Sequence, residues 1–396
     1  MKTTASGKRL SHLSIIKLLS EENEFFYLKW VLIGLLIRLT FMPFTFHGDI
    51  RAMNWVAHFL TYHGSLRREM MEYPPLAYYA MSFFQFLYRS FMPLYANTQE
   101  PAVDWVHGPH VFRYLFLFKS YYLIFDFGTA FLLPCVIQDK NRGLSAFKFW
   151  MLNPVVIYSS YVIGQFDILP TFFVALSLYY VWKSKLATSL LWLGIGASFK
   201  NFAFMYVIPA LILLGRNKME KLKLLLLVSV PYLFLLYPYL GGDTAGVPLL
   251  TGGKGRYMLL AGLDLAPDDR IYILIMGYAI ILVLTYVYSQ GYVRSSREVF
   301  DWLWRVELIV SLWWFAIITF HPQWFVWIMP LLTLFILENK RLITLYWLLV
   351  ICFFVYTFRW GRGLFGRLFM PIDPVFLAKS RAQPSSLLRF IHIMAR

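Results

Sequence analysis

The sequence predicts an all-α, polytopic membrane protein, and three observations support this fold class. Apolar residues make up 59% of the 396 residues and charged residues only 15%, whereas an ordinary globular domain has about 25% charged residues. Apolar runs of roughly 17–25 residues, the length at which a helix crosses a bilayer, recur along the chain. Basic residues stand in short clusters between these runs, as they do in the cytoplasmic connections of membrane proteins.

The apolar runs predict a bundle of about eleven transmembrane helices in a single integral-membrane domain, residues 1–396. The first run covers residues 27–46, and because basic residues precede it (Lys2, Lys8, Arg9 and Lys17), segment 1–27 is predicted to be cytoplasmic. The other predicted spans are 112–137, 144–162, 168–183, 186–199, 200–214, 222–240, 271–292, 299–319, 323–337 and 342–358.

The distribution of Lys and Arg tests this topology. When the spans are threaded in order, the short connections on the cytoplasmic side all contain Lys or Arg, as the positive-inside rule requires. These connections are 138–143, 183–185, 215–223, 293–298 and 338–341.

Three segments lie outside the predicted spans. The first outer loop, residues 47–111, is long, and its apolar stretch 73–94 is predicted to be an interfacial or re-entrant helix, because counting it as a span would reverse every later connection. A glycine-rich outer loop, 241–270, is predicted to be mobile. The basic C-terminal tail, 359–396, is assigned to neither side.

Composition also excludes several function classes. The net charge of +16 would suit a nucleic-acid-binding protein, but clusters beside apolar runs indicate contacts with lipid headgroups, so no nucleic-acid partner is expected. Cys135 and Cys352 lie inside apolar runs, and His and Cys show no metal-ligand spacing. Neither a metal nor a cofactor is therefore predicted, and no glycine-rich phosphate-binding loop is present in the sequence.

Polar residues that are costly in a bilayer collect in the predicted outer loops, which places the chemistry on the extracytoplasmic face (periplasmic, exterior or ER-lumenal). Nucleotide sugars and ATP are not available there, so the energy for a transfer must arrive in an activated lipid. A polyprenyl-phosphate-linked sugar is the expected donor, with a lipid-linked or glycan acceptor and with membrane lipids as the other partners.

Asp49, in residues 47–54 (HGDIRAMN), directly follows the first span. A carboxylate at that depth is a candidate general base, which would deprotonate an acceptor hydroxyl; such catalysis typically contributes about 10²–10⁴-fold. The alternative is structural, since Asp is a good N-cap for the helix predicted over 50–62. No second Asp follows at the D-x-D spacing, because position 51 is Arg51.

Four other residues are candidates for binding the acceptor or the sugar: Glu72, Tyr73, Asp167 and Trp324. Glu72 and Tyr73 open the motif EYPPLAYY, whose two prolines also predict the start of a helix. Asp167 closes the turn GQFD at 164–167, where a helix cap is the competing interpretation.

The candidates for binding the donor phosphate or lipid are His321, Gln323, Lys200, Arg256 and Arg359. His321, Gln323 and Trp324 share the segment FHPQWFVWIMP, which would equally suit capping beside an interfacial tryptophan belt. Lys200 interrupts an apolar stretch, where lysines usually line cavities, although snorkelling is the alternative. Arg359 follows the last span, where contact with headgroups is also expected.

In this order the motifs resemble those of the GT-C superfamily of integral-membrane glycosyltransferases, over roughly residues 28–358. Dolichyl-phosphate-glucose-dependent glucosyltransferases have a first-loop Gly-Asp, an Asp-Tyr-Pro-Pro-Leu segment, an Asn-Pro span and a late His, to which Gly48, Asp49, 72–76, 152–154 and His321 are similar. GPI mannosyltransferase I and related bacterial enzymes have a Leu-Asn-Pro span, a following Gly-x-x-Asp, a Lys and a late Gln-Trp motif, which resemble 152–154, 164–167, Lys200, Gln323, Trp324 and Trp327.

The resemblance implies an inverting transfer of a hexose, mannose or glucose, from a polyprenyl-phosphate carrier (EC 2.4.1-type), with Asp49 as the base. The acceptor would be a lipid-linked or cell-surface glycan. Two other functions stay open on the sequence: a lipid or polysaccharide transporter, and a non-catalytic membrane subunit of a glycan-assembly complex.

Overall fold

A computed structural model describes residues 21–66, 71–91, 106–240, 258, 260–266, 269–291, 295–360, 364–365 and 367–373. These residues are mostly helical. The α-helices are α1 (Glu21–Phe41), α2 (Gly48–His63), α3 (Pro75–Tyr88), α4 (Val111–Ser120), α5 (Tyr122–Val136), α6 (Lys140–Met151), α7 (Pro154–Ile157), α8 (Ile168–Trp182), α9 (Leu186–Phe199), α10 (Val207–Leu214), α11 (Lys218–Leu236), α12 (Ile273–Gly291), α13 (Ser296–Ile317), α14 (Met329–Glu338) and α15 (Ile343–Arg359).

The fold class predicted from the sequence, a helical membrane protein, is confirmed. Within the described residues, four helical stretches have the length and composition to cross a bilayer: Val111–Val136, Lys218–Tyr239, Ile273–Gln290 and Lys340–Arg359. Four shorter apolar helices accompany them: Ile168–Trp182, Leu186–Phe199, Asn201–Leu214 and Pro322–Glu338. The count of about eleven crossings stays a prediction.

The predicted basic connections coincide with breaks between helices. Helix α5 ends at Val136 and α6 begins at Lys140, and α8 ends at Trp182 before α9 begins at Leu186. The same holds for α10 and α11, for α12 and α13, and for α14 and α15. Short turns of this kind reverse the chain, so neighbouring helices in the sequence also pack together, as α8 does with α9.

Some predicted spans are interrupted. The stretch predicted as one span over 144–162 is divided, because Asn153 accepts hydrogen bonds from the amides of Val155 and Val156 and so caps a new helix. That new helix continues as a π-helical turn, Tyr158–Val162. Likewise, a 3₁₀-helix, Asn201–Tyr206, precedes α10, and another, Pro322–Ile328, precedes α14.

Inside the first outer loop, the helix predicted over 73–94 is observed as α3, with Pro75 as its first residue. Helix α2 packs against α3, and α3 also contacts α9 and α11. The predicted mobile loop, 241–270, lies largely outside the described residues, but its end forms a two-stranded antiparallel sheet of β1 (Leu263–Ala266) and β2 (Asp269–Ile271), which the sequence did not predict.

The core of the bundle holds buried charged groups that are bonded to partners. Arg38 of α1 and Asp126 of α5 are both fully buried and form an ion pair, and Asp126 also accepts hydrogen bonds from Trp150 Nε1 and Tyr161 OH, both at 2.8 Å. The ammonium group of Lys119, also fully buried, donates to the carbonyl oxygens of Thr45 at 2.6 Å and of Tyr161 at 2.9 Å. These contacts fix α1, α4, α5 and the π-helical turn relative to one another.

Candidate functional site

Asp49 lies in the first turn of α2, and it does not cap that helix. The N-cap is His47, whose Nδ1 accepts a hydrogen bond from the Asp49 amide, so the alternative interpretation of Asp49 as the cap is wrong. The Asp49 side chain is 43% exposed, and its Oδ2 lies 3.6 Å from His47 Nδ1. Burial lowers the pKa of His47 below its usual 6.5, although the Asp49 charge opposes this shift. A neutral imidazole is what the cap requires, because Nδ1 accepts there.

Gln165 holds the Asp49 carboxylate from the other side. Its Nε2 donates a 2.8 Å hydrogen bond to Asp49 Oδ2, and Gln165 itself is only 2% exposed. The preceding residue, Gly164, has φ +80°, which is a backbone conformation that glycine adopts most easily. A Cβ atom at Gly164 would lie 2.7 Å from Lys119 Cε, so only glycine fits this turn.

Two residues further along the chain, Asp167 forms a second buried ion pair. Its Oδ1 lies 2.7 Å from Lys200 Nζ and accepts a 2.6 Å hydrogen bond from Trp327 Nε1. Asp167 is fully buried and Lys200 is 6% exposed, so snorkelling of Lys200 into solvent is ruled out. Asp167 stands at the N-cap position of α8, but its carboxylate makes no capping bond. The capping interpretation of Asp167 is therefore also wrong.

Aromatic rings surround the Lys200 ammonium group. Its Nζ lies 4.9 Å from the ring centre of Tyr73, 5.3 Å from that of Phe166, 5.5 Å from that of Trp324 and 5.2 Å from that of Trp327. Cation–π attraction at such distances stabilises the charge. We refer to Lys200, Asp167, Tyr73, Phe166, Trp324 and Trp327 as the Lys200 cluster.

Three buried polar atoms in and beside this cluster have no partner among the described residues. They are Asp167 Oδ2, Trp324 Nε1 and Gln323 Oε1. Each such atom typically costs about 1–3 kcal/mol, so several of them close together call for an explanation. Asp167 and Trp324 belong to the Lys200 cluster, and Gln323 precedes Trp324 in the 3₁₀-helix Pro322–Ile328, which packs against the π-helical turn.

Of the other predicted donor contacts, His321 lies at the edge of this arrangement. The His321 ring lies 5.3 Å from the Trp324 ring and stacks on Trp360 at 4.4 Å between centroids. His321 is partly exposed and makes no side-chain cap bond to the 3₁₀-helix that follows it. Arg359, which precedes Trp360, is exposed. Arg256 lies outside the described residues.

Glu72 and Tyr73 approach from the first outer loop. Their amides both donate to the Tyr78 hydroxyl, at 2.8 and 3.3 Å, which fixes the turn before α3. The Glu72 side chain is exposed and the Tyr73 ring is partly exposed, with an edge-on contact to Phe166 at 5.0 Å. Burial raises the pKa of Tyr73 well above its usual value, and the charges of Asp167, Asp49 and Glu72 add to the shift.

The structure thus brings most of the predicted site residues together. The turn at 164–167 joins the two parts of the site. Its Gln165 bonds Asp49, and its Phe166 and Asp167 belong to the Lys200 cluster. Two consecutive residues span at most about 7 Å of backbone, so the Cα atoms of Gln165 and Asp167 lie within that distance. Sequence reasoning missed Gln165 and Phe166 as individual residues; the only signal was their place between Gly164 and Asp167. In the described part of the chain, no three His, Cys, Asp or Glu side chains are grouped so as to hold a metal.

These residues stand at the ends of the helices that are remote from the basic connections. Asp167 precedes α8, and Lys183 follows the opposite end of that helix; Lys200 follows α9, and Lys185 precedes it. The arrangement puts a reachable carboxylate beside a buried, aromatic-lined ion pair. Chemically, it can accept a proton and can bind a molecule that presents both hydrogen-bonding groups and apolar surface.

Comparison with known proteins supports a membrane glycosyltransferase. The chain is similar to GPI mannosyltransferase 1 of Saccharomyces cerevisiae (strain ATCC 204508 / S288c), with 24% identity over 273 residues that cover 61% of this chain and 67% of that protein. No family model matches the chain, and no solved structure matches it. The similarity confirms the resemblance to GT-C membrane glycosyltransferases that the sequence motifs indicated.

Proposed function

We propose that this protein is an inverting hexosyltransferase, which moves a sugar from a polyprenyl-phosphate carrier to a lipid-linked or cell-surface glycan acceptor. The observation that carries the proposal is the Asp49 carboxylate, which is held by Gln165 on one side and is reachable from solvent. It stands one short turn away from a buried site suited to a ligand, and that pairing is what a transfer between two bound substrates needs.

In the proposed mechanism, Asp49 accepts the proton of the acceptor hydroxyl as its oxygen attacks the anomeric carbon. The bond between that carbon and the phosphate oxygen breaks on the opposite face, and polyprenyl phosphate leaves with the bonding electron pair. Attack and departure on opposite faces invert the anomeric configuration. Gln165 acts as a positioning residue, because its hydrogen bond to Oδ2 leaves Oδ1 to meet the acceptor.

The polyprenyl chain has a suitable place beside α3. An apolar groove of about 620 Å³ runs between Tyr79 of α3 and the end of α11, lined by Leu233, Phe234, Leu235, Tyr237 and Pro238. A 2.6 Å hydrogen bond between the hydroxyls of Tyr79 and Tyr239 joins the two sides. Because Tyr73 lies two residues before α3, a lipid in this groove would have its head near the Lys200 cluster.

We assign the donor phosphate to the edge of the site, to His321 and Arg359, together with Arg256 as predicted from the sequence. Lys200 is a weaker candidate for this role than the sequence suggested, because its charge is already paired with Asp167 at 2.7 Å. Arg359 is exposed, so its guanidinium group is open to a phosphate. Glu72, which is also exposed, remains our candidate for an acceptor hydroxyl.

The sugar and the side of the membrane follow from separate arguments. The similar yeast protein is by name a mannosyltransferase, which favours mannose over glucose. The site lies at the helix ends opposite the basic connections, and basic connections face the cytoplasm, which favours the extracytoplasmic face.

The transporter alternative gains no observation of its own. Three of the charged residues inside the described helices have local partners: Lys119 with Thr45 and Tyr161, Asp126 with Arg38, and Arg305 with Glu338. Glu307 is buried and its Oε2 has no partner among the described residues, but it stands alone and is not part of a relay. A relay of charges along a path through the bundle is what transport would favour.

The proposal is tested with the purified full chain, synthetic polyprenyl-phosphate mannose or glucose, and a lipid acceptor. We expect transfer with inversion, and we expect Asp49→Asn to lower kcat by about 10²–10⁴-fold. Asp139→Asn is the matched control, since Asp139 caps α6 and Asn caps equally well. Full activity of Asp49→Asn, or a product with retained configuration, would refute the mechanism.

A further inference from the structure

The Lys200 cluster contains two buried polar atoms whose partners are missing among the described residues. Asp167 Oδ2 is a hydrogen-bond acceptor, and Trp324 Nε1 is a donor. Asp167 is fully buried and Trp324 is 9% exposed. Both side chains border Lys200, Asp167 through its ion pair and Trp324 through its ring at 5.5 Å. One cluster therefore offers an unused acceptor and an unused donor.

From this pairing we infer that the Lys200 cluster binds hydroxyl groups of the hexose of the donor, and not its phosphate. The phosphodiester of the donor is a monoanion that only accepts hydrogen bonds, so it cannot satisfy Asp167 Oδ2, and the negative carboxylate would repel it. A sugar hydroxyl both donates and accepts, so neighbouring hydroxyls can bond Asp167 Oδ2 and Trp324 Nε1 together. The inference rests on the proposed function and names what that site binds.

The surrounding charges agree with a neutral ligand. The Lys200 ammonium group, which would otherwise attract an anion, is paired with Asp167 Oδ1. The cluster therefore has no net charge to offer, while its aromatic faces present apolar surface to the C–H groups of a sugar ring. Tyr73 is the partly exposed member of the cluster, so a ligand would reach the buried atoms from its side.

The position also fits the reaction. Gln165 binds Asp49, and Asp167 belongs to the Lys200 cluster, so the base and the hydroxyl-binding atoms share the turn at 164–167. A hexose held by Asp167 and Trp324 would therefore present its anomeric carbon toward the acceptor at Asp49, with the phosphate on the side of His321.

The test measures binding, so that it does not depend on turnover. Binding of polyprenyl-phosphate mannose and of polyprenyl phosphate is measured to full-length Asp49→Asn protein, alone and combined with Trp324→Phe, which removes the N–H and keeps a ring. We expect the sugar to bring at least about tenfold tighter binding in Asp49→Asn, and we expect Trp324→Phe to abolish most of that gain without changing the affinity for polyprenyl phosphate.

Trp192→Phe is the matched control, because Trp192 Nε1 is also buried and unpaired but its ring packs on Phe173 and Tyr180, outside the cluster. It should leave the gain intact. An equal loss of affinity for both lipids in Trp324→Phe would make the cluster a phosphate site and overturn the inference. An unchanged sugar-dependent gain in affinity in Trp324→Phe would also overturn the inference. A second variant, Asp167→Asn, checks the acceptor atom by the same comparison, with thermal unfolding as the test of folding.

The outcomes separate the two proposals. If the unsubstituted protein transfers no sugar, but Trp324→Phe abolishes a sugar-dependent gain in binding, the sugar site is upheld and the transferase is refuted. Transfer without any sugar-dependent gain in binding would uphold the transferase and refute the sugar site.

Discussion

Gln165 donates a 2.8 Å hydrogen bond from Nε2 to Oδ2 of Asp49, across 116 positions of the chain. The two residues differ sharply in exposure, since Gln165 is 2% exposed whereas the Asp49 side chain is 43% exposed. A buried amide thus fixes the direction of a carboxylate that a substrate can reach. Among the described residues, Asp49 Oδ1 is left without a hydrogen bond, and this is the oxygen that we expect to face the acceptor.

Removing this amide should lower the rate more than it affects substrate binding. In Gln165→Leu, which has a similar volume, we expect kcat to fall by about 10²-fold with little change in KM, because the base is misdirected. In Gln165→Glu, a second carboxylate beside Asp49 should raise the pKa of the base, so the acidic limb of the pH–rate profile should move to higher pH.

The control for this pair is Gln85, a buried glutamine that bonds Asn54 within the first outer loop. Gln85→Leu should leave the pH–rate profile in place even if it lowers stability. An unshifted acidic limb in Gln165→Glu would show that Gln165 does not act on the base.

Breaking the ion pair between Lys200 and Asp167 from one side should destabilise the protein strongly. Lys200→Met leaves the fully buried Asp167 carboxylate with the Trp327 N–H as its one remaining partner among the described residues, and such a loss typically costs about 3–5 kcal/mol. The double variant Lys200→Met/Asp167→Asn should recover part of that loss, because neither charge is then left alone. Unfolding in detergent, followed by denaturant titration, measures the difference. Strictly additive losses would mean that the two side chains do not interact.

Gly164→Ala should disturb the turn that joins Asp49 to the Lys200 cluster. The positive φ and the 2.7 Å approach to Lys119 Cε both oppose a Cβ, so we expect a loss of about 1–3 kcal/mol in stability together with lower activity. Gly48→Ala is the control beside Asp49, since a Cβ at Gly48 would meet no atom within 4 Å. Comparable behaviour of the two alanine variants would contradict this account.

His47 should make stability depend on pH in the acidic range. Its pKa is lowered by burial in the folded state, so the unfolded state binds more protons between 6.5 and that lowered value, and stability should fall as the pH falls below about 6.5. Protonation also removes the Nδ1 acceptor that caps α2. In His47→Asn, which keeps a capping oxygen, this loss on acidification should be smaller when thermal unfolding is measured from pH 7.5 to 5, and the remainder is expected from His58, whose pKa burial also lowers.

Much of the fold could be predicted, because the length of each apolar run indicates a helix and the basic residues between the runs indicate where the helices end. The spans predicted over 186–199 and 168–183 match α9 and α8 almost to the residue. The polar residues Lys183, Ser184 and Lys185 separate these two apolar runs in the sequence. The interruption at Asn153 was missed, because apolar residues continue on both sides and only the cap itself ends the helix. The hairpin of β1 and β2 is too short to show a period.

The site was predictable only in its parts. Asp49, Asp167 and Lys200 were visible as polar residues in costly places, but nothing in the sequence paired Asp167 with Lys200, or Gln165 with Asp49. These are contacts between distant segments, and a polar residue near a helix end looks the same whether it caps, snorkels or binds. The sequence also did not indicate a partner for Arg38, because this residue lies inside an apolar run that has the composition of an ordinary span.

That arginine constrains how the chain is assembled. Helix α1 is synthesised before α5, yet its buried guanidinium group is paired with Asp126, 88 positions later, and a buried charge without its partner is strongly destabilising. Until α5 is present, we expect α1 to remain near the lipid headgroups or at the insertion machinery, because the Arg38 charge has no partner. Helix α1 would then take its final place after α5 has been made, although α1 leaves the ribosome before α5.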